Sequence, residues 1–544
     1  MAAQQLEVDY DTKLDAFPEL RGCAEWGALG LGLTTASDRC AKLLDLSFRA
    51  AFTRSAPRYH GLDGAKVAAA AVEADEACPM AHITALALRL IGGSKAGPHV
   101  QPGLAAARAA CDARGSAWER RHLEIVQAYA SPDDDSVGDL YTALVGDYPF
   151  DILALSLAFI HNSPARRDAL LHNTDAMLGG GWSETDCPAG ICDGQPGDLL
   201  PFLFAEHSYS LGENERYEES EEFARRALEL EPTCALATHQ MAHVFEMTGR
   251  SGAGTEFLAE TEDNWNLGGQ ATHIYWHWGL LHLESGDHQA ALRLYDLTLQ
   301  TAKRDDASGA RSSEAPSSSA ASHSPSHSPP LLTSGRVLLA VPKCVNDLAS
   351  LLFRLHLDGM PPETTERLAK EVLAVPQVEA LVGGSTGSAA LDVHLTMLLS
   401  LAGRQAEAPH LTDADADPTA VSVRFGQASA LTAALCSAVT RYTVGEYDAA
   451  ADLLEALTTH ATDFWEETEG VVGVVPDAWR PMGLSNAQRD ICTQLYLRSL
   501  LNSADVARHG VAAEMIAARE RAGKDAALTG RLAAALPEGA HAKL

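Results

Sequence analysis

Residues Tyr275–Tyr295 read YWHWGLLHLESGDHQAALRLY, and their spacing decides the fold. Apolar residues recur at helical rather than alternating intervals on both sides of Gly286-Asp287, so the stretch predicts a helix, a tight turn and a second helix. Gly279 has no side chain and lets the two helices of the pair approach closely, while Ala291 and Tyr295 sit on the second helix at helical spacing. In SYSLGENERYEESEEFARRALELEP, Ser208, Tyr217, Ala227 and Pro232 fall at the small, aromatic, small and stop positions of the same template. A third copy, CSAVTRYTVGEYDAAADLL, carries Ala438, Gly445, Tyr447 and Ala450.

These stretches resemble the tetratricopeptide repeat, a helix pair of ~34 residues. Each such pair buries its apolar face only against the next, which implies a helical-repeat solenoid with a concave groove. The rest of the chain agrees in class. Amphipathic helices are expected over Ala36–Ala51, Gly64–Ala77, Pro79–Ile91, Gly103–Ala113 and Trp118–Tyr129, and Ala, the best helix former, dominates. Only Val471–Val475 hints at a strand. Gly179–Gly181 closes a helix over Arg166–Leu178, where a left-handed cap favours a residue without a Cβ. The expected fold is therefore all-α, in four parts. Residues 1–130 fit the template poorly and form a divergent N-terminal helical block; residues 131–301 hold tetratricopeptide-like repeats. Residues 302–335, containing RSSEAPSSSAASHSPSHSPP, are expected to be a disordered Ser/Pro/His-rich insert whose His323 and His327 are compositional. Residues 336–544 hold C-terminal helical repeats.

Charge removes whole classes of function. Across 544 residues, 41 Lys+Arg face 73 Asp+Glu, a balance of −32 that argues against nucleic acid as a partner. Hydrophobic residues at 46% are enough for a sizeable core. The ten cysteines form no CxxC pair and read as reduced thiols, and the start, MAAQQLEVDYDTKLD, has neither a basic nor an apolar leader segment. The longest apolar run, Ile152–Ile160, is far short of a membrane span. A cytoplasmic protein with no membrane role is expected.

The chemistry is concentrated in two helices. With Pro232 ending one repeat, Ala235 begins the next, and its first helix reads ALATHQMAHVFEM. Ala237, Met241, Val244 and Phe245 form the apolar stripe; His239, His243 and Glu246 fall on the opposite side, at repeat positions that line a concave groove. The following first helix begins near Thr272 and is apolar nearly all round, except for a narrow seam of His273, His277 and Glu284 flanked by Trp276 and Trp278. Imidazoles at i and i+4 are close enough to chelate one divalent transition metal such as Zn, Fe, Mn or Ni. The rival reading is that these histidines bond neighbouring helices. No His-Glu-x-x-His is present to mark a zinc protease.

A second cluster, LSNAQRDICTQLY, places Ser485 three residues before Gln488, the spacing of a capping box. That leaves Asn486, Arg489 and Asp490, for which an ion pair to another helix is the favoured reading, with polar groove contacts second. Asp392 with His394, and Glu119 with His122, read as surface residues.

Taken together, ATHIYWHWGLLHLESGDHQAALRLYD, THQMAHVFEM and GLSNAQRD resemble the tetratricopeptide repeat protein 38 family, with matching order and spacing along most of residues 20–535. The insert departs from that pattern. The resemblance implies a helical-repeat protein without an assigned activity, and a shared polar set of His239, His243, Glu246, His273, His277, Asn486, Arg489 and Asp490. The expected function is binding of a protein partner or small ligand in the groove. Acidic chaperone tails fit poorly, because His239 and His243 stand at groove positions on a strongly acidic chain. The alternative is a metal-dependent enzyme using the His/Glu cluster.

Overall fold

The computed structural model describes residues 10–537 apart from 54–58, 60–61, 93–97, 132–135, 162–166, 180–198, 267–269, 309–340, 387, 409–426, 461–484, 522 and 524–525. Among the described residues there are helices and no strand. The first ten helices are α1 (Tyr10–Asp15), α2 (Cys23–Ala28), α3 (Asp38–Phe52), α4 (Gly64–Ala74), α5 (Pro79–Gly92), α6 (Val100–Arg114), α7 (Ala117–Ala130), α8 (Val137–Asp147), α9 (Ile152–Ile160) and α10 (Arg167–Gly179). The middle of the chain holds α11 (Leu200–Glu213), α12 (Tyr217–Leu230), α13 (Ala235–Met247), α14 (Ser251–Trp265), α15 (Ala271–Glu284) and α16 (His288–Ser308). Then come α17 (Val341–Leu357), α18 (Pro362–Leu373), α19 (Pro376–Glu379), α20 (Ala389–Leu401), α21 (Gln427–Thr443), α22 (Tyr447–His460), α23 (Asn486–Leu501), α24 (Val506–Arg521) and α25 (Ala526–Ala534).

The helices pack in neighbouring pairs, and α11, α13, α15 and α17 also touch one another in order. These four make an inner layer. Every residue of α13 is buried, whereas α12 and α14 bury only a few residues each, as outer helices do. No helix is long and apolar enough to cross a membrane.

One turn recurs between paired helices. At Gly249, Gly286, Gly359, Gly403 and Gly445 the chain takes a positive φ, and the next N–H bonds back five residues, as in Arg250 to Phe245 at 2.8 Å and Asp287 to His282 at 2.8 Å. This bonding satisfies carbonyls that a helix end would otherwise orphan, and the left-handed residue it needs is normally Gly. Glu215, φ 63°, occupies the same position in the turn between α11 and α12, where Arg216 bonds back to Leu211 at 3.0 Å.

Several expectations change. Gly279 does not mark contact with the second helix of its own pair: a Cβ there would meet Leu351 Cδ2 of α17 at 2.8 Å, so the glycine serves the inner layer. Helix α16 runs to Ser308, past the expected start of the insert at Ala302; the rest of the insert, Gly180, Gly181 and Val471–Val475 lie outside the described residues. Glu119, His122, Asp392 and His394 are buried, not on the surface. Glu119 accepts from Thr34 Oγ1 at 2.7 Å, and His122 Nε2 meets Asp151 at 2.6 Å, because polar groups taken out of water must be bonded. One apolar cluster runs from Phe17 to Ala237, straight through residue 131.

Candidate metal centre

Helix α13 starts at Ala235, where the repeat register put it, and α15 starts at Ala271, one residue before the expected Thr272. The polar seam of α13 does not face an open groove. It turns inward against α15, and His239, His243, Glu246, His273, His277, Trp276 and Glu284 are all buried. The cause is coverage: α11 and α15 lie on either side of α13, α12 and α14 pack behind it, and α23 reaches it as well. A seam opposite the apolar stripe was thus a second packing face.

Four imidazoles meet there. One ring nitrogen from each of His239, His243, His273 and His277 lies within 4.8 Å of the others. The i, i+4 spacing stacks each pair on one helix face, and the contact between α13 and α15 brings the pairs together. His239 Nε2 and His243 Nε2 are 3.1 Å apart. Across the helices, the rings of His243 and His277 have centroids 4.3 Å apart, and those of His239 and His273 4.9 Å.

Carboxylates orient two of the rings from behind. His273 Nδ1 lies 2.9 and 3.0 Å from the two oxygens of Asp347, on α17, and His277 Nδ1 lies 3.2 Å from Glu246 Oε2. An Nδ1–H donating to a carboxylate leaves Nε2 as a lone-pair donor on the opposite side of the ring, which is how metal-binding histidines are usually held. Trp276 stacks on His273, with centroids 5.0 Å apart and planes at 8°, and Arg354 lies 5.7 Å from the Trp276 ring.

Further out, Asp490 accepts from Arg519 Nη1 at 2.7 Å, both side chains being buried. Burial works to lower the Arg519 pKa, but Asp490, with Glu284 and Glu246, outweighs it and holds the guanidinium above its ordinary value. Glu284 and Glu246 therefore act on a cation of α24, and Glu246 meets His277 as well. Ser485 forms the expected capping box with Gln488. Asp490 forms the expected bridge to another helix. Arg489 is buried on the same turn, while Asn486 begins α23 and its side chain lies outside the described ones.

Asp347, Arg354 and Arg519 complete the surroundings without having been singled out in sequence. Asp347 and Arg354 are charged residues within a largely apolar helix, VPKCVNDLASLLFRLHL, which is a usable signal. Arg519 sits in AARERAG, where charge is unremarkable and gives none. No family model matches the chain.

Proposed function

We propose that this protein binds one divalent transition metal through His239, His243, His273 and His277. The observation that carries the proposal is the convergence of four ring nitrogens from two helices within 4.8 Å. At bond lengths of 2.0–2.1 Å, tetrahedral neighbours are about 3.3 Å apart and square neighbours about 2.9 Å, and the 3.1 Å between His239 and His243 falls between. The widest pair would have to draw in by up to about 1.5 Å for a tetrahedral ion, or up to about 0.7 Å as the trans pair of a square one. Four imidazoles suit zinc, copper, iron or nickel better than magnesium or calcium. Glu246 and Asp347 add two negative charges behind the ligands, which favour a buried dication and fix the tautomers of His277 and His273. A tetrahedral ion bound by all four imidazoles would be closed and structural. A square set would leave axial positions where the ion supplies Lewis-acid or redox chemistry, and a metal-dependent enzyme is the class that second arrangement supports.

The frame for this site is a tetratricopeptide-type repeat in a cytoplasmic protein similar to the tetratricopeptide repeat protein 38 family. The repeat type is supported by the helix starts at Ala235 and Ala271 and by the recurring glycine turn. Binding of a protein partner or small ligand in an open groove has lost the residues assigned to it, since all seven of those on α13 and α15 are buried.

Elemental analysis of the full chain purified without chelators tests the proposal. Near one equivalent of metal is expected, absent from a folded His239→Ala/His243→Ala variant. A metal-free wild type that gains no thermal stability from added zinc, iron, copper or nickel rejects it.

A further inference from the structure

Arg354 differs from the buried guanidiniums of Arg519, Arg21 and Arg49. Arg519 is paired with Asp490, and Arg21 and Arg49 share Asp45. Arg354 is equally buried, yet among the described residues no carboxylate lies within ion-pair distance of it. Its Nη2 donates to the Ala487 carbonyl at 2.7 Å and its Nη1 to Ser350 Oγ at 3.4 Å, while its Nε–H has no acceptor. A guanidinium cannot shed its proton inside a protein, so a buried one calls for an anion. Beside it, Trp276 Nε1–H is buried and also has no acceptor.

We infer that Arg354 and Trp276 form a binding site for a small oxyanion, a carboxylate or a phosphate, one aromatic ring away from the four-histidine cluster. The planar fork of arginine matches both anions, and an indole N–H adds a donor that an oxygen can accept. The carboxylates nearby are already engaged: Asp347 with His273, and Asp490 with Arg519 and Gln494. His394 donates from Nδ1 to the Ala390 carbonyl at 2.6 Å and stays neutral above about pH 4, so it supplies no competing charge at neutral pH. Burial restricts the occupant to a small molecule or to the anionic end of one. Its role as a substrate subsite rests on the metal reading; binding to Arg354 and Trp276 does not.

The test is thermal unfolding of the full chain in increasing acetate or phosphate, with ionic strength held constant by chloride, in zinc and in EDTA. For the wild type a saturable rise in Tm is expected with acetate, with phosphate, or with both, and the response identifies the anion. Arg354→Met should abolish the rise. Trp276→Phe keeps the ring and loses only the N–H, so it should weaken the apparent Kd at least tenfold, and it carries the test if Arg354→Met does not fold. Protection by an anion without binding of zinc, iron, copper or nickel upholds this site and rejects the metal centre. Zinc binding without anion protection, an undiminished rise in Arg354→Met, or an unchanged Kd in Trp276→Phe overturns it.

Discussion

An imidazole sealed from water stays neutral to a lower pH than a free one, and stability then depends on pH in a calculable way. Burial lowers the His394 pKa to about 4, against an ordinary value near 6.5. Between those values the unfolded chain binds a proton that the folded chain refuses, so stability falls as pH drops through 6.5 and the loss is complete near 4. The full span is on the order of 3 kcal/mol. His207, His282 and His356 are also lowered by burial, so His394→Gln should flatten only part of the acid limb. Urea unfolding in EDTA at pH 7 and pH 5 checks this; equal acid sensitivity in variant and wild type refutes it. Gly279 offers a steric counterpart. Because its missing Cβ leaves room for Leu351 Cδ2, Gly279→Leu should cost about 1–3 kcal/mol by overpacking α15 against α17, and an unchanged Tm would contradict that contact. The four histidines were legible because helical spacing exposes i, i+4 pairs within one helix. Asp347 was not, since its partner His273 lies 74 residues away and no local periodicity encodes that pairing.

At the scale of elements, the helix pairs were legible and the faces they bury were only half so. A helix with an apolar stripe and a polar seam, such as ALATHQMAHVFEM, reads as one buried face and one wet face. In an inner layer both faces meet protein, and the polar one survives by bonding to the next helix, as Glu246 does with His277. The turns were more transparent, because Gly286 and Gly445 report a backbone conformation rather than a neighbour. Glu215 breaks that rule at φ 63°, where an L-residue pays for a close Cβ and carbonyl contact. Glu215→Gly should therefore raise stability by about 0.5–1 kcal/mol despite the added freedom of the unfolded chain. Denaturant midpoints with matched slopes decide it, and a loss of stability would show that the side chain earns its place by contacts.

Across the whole molecule, apolar packing is divided. One core extends from Phe17 to Ala237 and another from Trp276 to Leu536, with a smaller cluster, Ala224 to Leu281, between them. The proposed metal centre sits at this junction: His239 and His243 belong to the stretch of the small cluster, while Asp347 and Arg519 reach in from helices of the second core. A polar clasp lies close by. Arg531 donates to the carbonyls of Leu283 and Glu284 at 2.9 and 3.0 Å and, together with Arg498, holds Asp358. Where apolar burial is thin, ligand bonds can supply the coupling that makes two cores unfold as one. Calorimetry of the zinc-loaded chain should accordingly show a single transition that splits in EDTA. The His239→Ala/His243→Ala variant should show the split with or without zinc. A single EDTA-insensitive transition in both proteins would mean that the helix contacts join the two cores on their own, leaving the imidazoles no part in that coupling.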